Sequence, residues 1–224
     1  MSHMAKNAKP FQNAVKFDYF GFRHGYRIIR ANFRAYLIIN AFVYGLVITG
    51  MVAAIVYPSL GTNQLATLEH SGTTQLARSL LNTPWLFSLT ILGVNIASGA
   101  ILIVLPSLIV PFAGIATFAY KAFTLGLAMA PAAANTGVAL IPHSLTILIE
   151  FQAYILLMLG VYILGRSWVW PATIAAQNHR QSYARGLQQL GWLGLSTLPL
   201  FIVGAIWEAF SLRYMVELLI KWLL

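Results

Sequence analysis

Hydrophobic and polar positions along this chain alternate in long blocks, not in the short periods of an amphipathic fold. Tyr36 to Tyr57 is an uncharged apolar run that Pro58 and Gly61 close. Trp85 to Leu105 is a second, opened by Pro84 and followed by the Pro106–Pro111 break. A third apolar segment extends from Phe112 to Ala130 and is interrupted by Lys121. A fourth covers Leu140 to Leu164 and stops at Gly165 and Arg166, and a fifth covers Leu190 to Phe210 with Pro199 inside it. A helix needs roughly 20 apolar residues to cross the hydrocarbon layer, so these runs predict an all-α, polytopic helical bundle of about five membrane spans. The third segment is bounded by prolines and carries a lysine, so it fits either a full crossing or a re-entrant helix packed inside protein.

The blocks between the runs set the domain plan. Residues 1–35 form a basic, aromatic segment, 36–210 the spanning domain, and 211–224 a short C-terminal helix. The opening MSHM reads as the remnant of a tag. The first 35 residues show no short apolar core of a cleavable signal, so the first apolar run is expected to stay as an anchor. A polar stretch covers 59–83, and Gln177 to Gln189 reads as a polar loop. In SLRYMVELLIKWLL, Arg213, Glu217 and Lys221 recur every four residues and make one polar stripe. That pattern predicts amphipathic, interfacial helices at both ends of the chain.

Composition agrees with this plan. The chain is 59% hydrophobic and 8% charged, against about 25% charged residues in a soluble domain. Too little polar surface remains to coat a globule in water. With no cysteine, disulfides, thiolate metal sites and thiol nucleophiles are excluded.

Charge gives the orientation. Lys6, Lys9, Lys16, Arg23, Arg27, Arg30 and Arg34 precede the first span, against the single acid Asp18. Basic flanks stay on the cytoplasmic side, so the N-terminus is expected inside a cell membrane. Five crossings then put 166–189 inside, with Arg166, Arg180 and Arg185, and the C-terminus outside. The formal charge of +9 does not point to nucleic acid. Its basic residues flank spans and mix with Phe17, Tyr19, Phe20 and Tyr26, as at an anionic lipid surface.

The few polar groups within the apolar runs are the candidate chemistry: Asn95, Lys121, His143, Thr146, Glu150, Tyr154 and Glu208. An ionisable group at the centre of a span costs roughly 2.5–3.5 kcal/mol and faces protein or water. His143, Thr146, Glu150 and Tyr154 share one helix face. Leu145, Leu148 and Ile155 lie on the opposite side, suited to lipid. His143 and Glu150 are seven residues apart, about 10 Å along a helix, so direct contact between them is not expected. Three readings compete: a hydrogen-bonded fastening to Lys121 or Asn95, a proton or ion path, and a metal-dependent hydrolase. The last has one His and one Glu where zinc catalysis takes three protein ligands. No zincin, nucleophile-elbow or phosphate-loop motif occurs, and no cofactor is implied. Small residues (Gly93, Ala97, Gly99, Gly114, Gly126) point to close helix crossings.

Three features coincide in order. A span opens with Pro142-His143 and carries Glu150 ahead of Gly160 and Gly165; the segment KAFTLGLAMAP precedes it; and the last span ends GAIWEAF, with Glu208. With Asn95 in the second span, residues 30–215 resemble the stage II sporulation protein M family. That family has about five spans, a Pro-His-Gly motif followed by Glu, and a terminal Glu-bearing helix. Here Ser144 replaces the Gly, the His-to-Glu gap is seven residues where the family has about four, and Lys121-Ala122 stands where the family has Asn-Gly. The substituted lysine leads to the expectation of a Lys121–Glu150 pair.

The resemblance implies first a non-enzymatic scaffold or subunit of a membrane complex, as the family's namesake supports cell-wall hydrolases during engulfment. A permease-like partner of a transporter ranks second and an intramembrane enzyme third. The partners it implies are the lipid bilayer and either a second copy, other membrane proteins or an ATPase.

Overall fold

The structure is a computed structural model. It describes residues 21–130, 134–170 and 178–215 together with 218 and 222, with the backbone alone at 21–22, 73–74 and 134–143. Every regular element among these residues is helical. The order is α1 (Gly21–Ala31), α2 (Phe33–Val56), α3 (Pro58–His70), α4 (Thr73–Leu80), α5 (Pro84–Ser98), α6 (Leu105–Ile109), α7 (Ala113–Ala128), α8 (Ala134–Val169) and α9 (His179–Phe210).

Four stretches are long and apolar enough to cross a membrane: Phe33–Val56, Pro84–Ile109, Ser144–Val169 and His179–Met215. α7 is apolar but has 16 residues, about 24 Å at 1.5 Å per residue. That is short of the roughly 30 Å hydrocarbon layer.

α8 is the axis of the bundle. In its spanning stretch 72% of the window is buried, against 22–33% in the other three. α9 packs along it most extensively, α2 flanks it, and α7 crosses α2. The expectation of a lipid-facing side on this helix is therefore half met. Leu145 and Leu148 are exposed, but Ile155 is fully buried, because the helix is enclosed on more than one side.

Proline chemistry shapes the second span. Pro106 lacks the N–H that would bond the Leu102 carbonyl four residues back. The chain between α5 and α6 widens into a π-helical turn at Gly99–Val104. The freed Leu102 carbonyl accepts a hydrogen bond from the Thr117 hydroxyl of α7. The expected break at Pro106–Pro111 is thus a helix that continues to Ile109 and turns at Phe112, whose φ is 66°. This left-handed turn sets the Phe112 ring against Gly165 of α8, where a β-carbon would lie 2.8 Å from it.

Glycines allow the tightest crossing. β-carbons at Gly50 and Gly126 would meet the carbonyls of Phe123 and Val47, so α2 and α7 touch backbone to backbone.

Two polar stretches turn out to be helical. Residues 59–83 hold α3 and α4. Much of the Gln177–Gln189 stretch belongs to α9, which begins at His179 behind an Asn178 cap whose Oδ1 accepts from the Gln181 N–H at 2.9 Å. There Ser182 donates to the Ser167 carbonyl at 2.7 Å, and Tyr183 donates to the Leu108 carbonyl at 3.2 Å. The start of α9, the end of α8 and the end of α6 therefore lie at one end of the bundle. α1 joins them, with His24 stacked on Trp192 at 4.7 Å. Trp85 meets Phe210 at the opposite end.

The C-terminal stripe lies largely outside the described residues. α9 passes into a π-helical turn at Ser211–Met215, and beyond it Leu218 and Trp222 are helical and exposed. Residues 1–20 of the basic segment likewise lie outside them.

Candidate functional site

Polar side chains from four helices converge midway along α8. Thr146, Glu150 and Tyr154 recur at four-residue intervals and form one stripe on that helix. α5 contributes Asn95, α9 contributes Glu208 and α7 contributes Lys121.

Asn95 is the hub. Its Nδ2 donates to Glu150 Oε1 at 2.6 Å, and its Oδ1 accepts from the Tyr154 hydroxyl at 2.9 Å. One amide thus joins the donor and acceptor needs of two residues a turn apart on α8.

Glu208 approaches Glu150 from the α9 side, close enough for the two carboxyl groups to interact. The contact depends on Gly204, one turn earlier on α9. A β-carbon there would lie 2.8 Å from Glu150 Cγ, so the absence of a side chain is what lets the Glu150 stem reach α9.

Lys121 places its ammonium 5.0 Å from the centroid of the Tyr154 ring. It lies within Coulombic reach of Glu150, and it also sits over the aromatic face, a favourable seat for a cation. The Lys121–Glu150 relation is thus Coulombic, while the hydrogen bond to Glu150 Oε1 comes from Asn95.

Thr146 is almost fully buried, and its Oγ1 has no hydrogen-bond partner among the described residues. Phe118, Phe201 and Phe151 wall the site. Phe118 and Phe201 pack on Tyr154 with ring centroids 4.8 and 5.0 Å away. The backbone of His143 belongs to α8; its side chain lies outside the described residues. Among the described residues, no three His, Asp or Glu side chains group as a metal site needs.

A second polar knot, absent from the candidate residues above, sits on another face of α8. The Tyr36 hydroxyl donates to Gln152 Oε1 at 2.6 Å, and Gln152 Nε2 donates to Asn40 Oδ1 at 2.9 Å and to the Tyr44 oxygen at 3.1 Å. The available signal was an amide in each of two facing spans, Asn40 and Gln152, which carry no charge to single them out.

No family model, curated protein or solved structure matches the chain.

Proposed function

We propose that the protein is a multi-pass subunit of a membrane complex, permease-like in type, whose central cluster holds one exchangeable proton between Glu150 and Glu208. The observation that carries this reading is the approach of two carboxyl groups, Glu150 on α8 and Glu208 on α9, within one largely buried cluster. Two carboxylates that share such a site do not both ionise, so a proton is held between them. With one proton shared, the acid pair carries a single negative charge, which the Lys121 ammonium balances. The cluster is then neutral overall, the state favoured by its low-dielectric surroundings. A pure fastening requires hydrogen bonds between helices and has no need of two acids in contact.

In this reading α7 makes a fifth, short crossing. It starts beside Ile103 and ends beside Val47 of α2 and Gly61 of α3. The N-terminus is cytoplasmic, in keeping with Arg27, Arg34, Arg166, Arg180 and Arg185 at the end of the bundle where α2 begins and α8 ends.

A second reading is a rigid scaffold, the role the stage II sporulation protein M resemblance implies. The backbone crossing at Gly50 and Gly126 and the Gln152 knot favour it. Proteoliposomes carrying an internal pH dye separate the two. Under an imposed pH gradient, the proton-exchanging subunit dissipates the gradient faster than empty vesicles, and Glu150→Gln and Glu208→Gln abolish the difference. Identical decay in all samples contradicts the transport reading and leaves the scaffold.

A further inference from the structure

At the end of the bundle where α2 starts and α8 stops, a cavity of about 370 Å³ opens between them. Arg34 and Arg166 line it, with Asn32, Tyr162 and Ile38. Two guanidinium groups facing one cavity repel each other unless an anion lies between them. Among the described residues no acid lines the cavity, and neither the Arg34 nor the Arg166 guanidinium has a hydrogen bond or ion pair. Among the described residues the Tyr162 hydroxyl likewise has no hydrogen-bond partner. These are the donors a phosphate oxygen group takes, and arginine presents them as a planar fork.

The setting selects the source of the phosphate. Ile38 and Phe42 follow Arg34 at four-residue steps on α2 and are 59% and 44% exposed. A cationic mouth therefore stands directly above an apolar lane that runs along a membrane span. A soluble anion uses the mouth alone, whereas a phospholipid uses both. The basic surface also continues around the bundle, because a neighbouring groove with Arg27 and His24 shares Ala31 and Asn32 with this cavity.

We propose that Arg34 and Arg166 form a headgroup site for an anionic phospholipid of the leaflet at this end of the bundle, with an acyl chain laid along Ile38 and Phe42. Basic pockets between spans on the cytoplasmic side are suited to such headgroups.

Native mass spectrometry of the whole chain in detergent tests this, with phosphatidylglycerol and phosphatidylcholine added in turn. The wild type is expected to retain phosphatidylglycerol selectively, and millimolar inorganic phosphate should not displace it. The Arg34→Gln/Arg166→Gln double variant should lose about thirtyfold in that preference, the effect of two arginines near an anionic headgroup. Arg78→Gln, at the opposite end of the bundle, should change nothing. The Arg34→Lys/Arg166→Lys variant keeps the charge and guards against a folding artefact; it should retain part of the preference. Equal retention of both lipids by the wild type, an unchanged preference in the double glutamine variant, or displacement by inorganic phosphate would overturn the proposal.

Discussion

Asn95 on α5 and Glu150 on α8 are joined by a 2.6 Å hydrogen bond within the bundle. The same Asn95 amide accepts from Tyr154 through its other end, so one uncharged residue organises the acidic site. Asn95→Leu removes the donor and the acceptor together and leaves two partners unsatisfied. It should destabilise the protein by about 2 kcal/mol. Thermal unfolding in detergent checks this, and an unchanged midpoint would show that Asn95 is incidental to the cluster.

Gly204 tests the closeness of α9 to Glu150. A β-carbon there lies 2.8 Å from Glu150 Cγ, and Glu150 can yield only by leaving its partners. Gly204→Ala should cost about 1–3 kcal/mol through overpacking. Gly191→Ala on the same helix has nothing within 4 Å of its new carbon and should be neutral or stabilising by up to about 1 kcal/mol. Equal stabilities for the two variants would contradict the packing described around Glu150.

The Gln152 knot ties α2 to α8 independently of the acids. A double-mutant cycle of Tyr36→Phe and Gln152→Leu should yield a coupling of about 0.6–1.7 kcal/mol, the range of interhelical hydrogen bonds in membranes. Strict additivity would mean that their 2.6 Å contact does not hold the helices together.

Thr146 is a buried hydroxyl without a hydrogen-bond partner among the described residues. Thr146→Val keeps the shape and removes the unsatisfied group, so stability should rise by up to about 1 kcal/mol. A loss of more than that would reveal a partner for Oγ1 within the site.

The four long spans were legible because hydropathy is a property of local composition, and each run is far longer than a core helix requires. The start of α9 was harder to read. Ser182, Gly186, Leu190, Leu193 and Thr197 are all buried and follow a helical period. Ser and Gly register as polar or neutral in a sequence, so the stripe looked like a loop. The continuation of the second span through Pro106 depends on Thr117, a residue of another helix that takes up the freed carbonyl.

The site was legible in its members more than in its pairings. Asn95, Glu150, Tyr154 and Glu208 stand out as polar groups in apolar runs. That Glu150 meets Glu208 as well as Asn95 depends on the depth to which Gly204 lets α9 approach, which no local pattern encodes. The sequence suggests Lys121 as a charge partner of Glu150, but the seat of its ammonium over the Tyr154 ring has no local signature.

Infrared difference spectroscopy of the reconstituted protein across a pH titration tests the central claim most directly. A shared proton between Glu150 and Glu208 predicts a protonated-carboxyl band that is lost on raising the pH and is altered or absent in both Glu150→Gln and Glu208→Gln. A spectrum with no titrating carboxyl band, or a band that both variants leave unchanged, would contradict it.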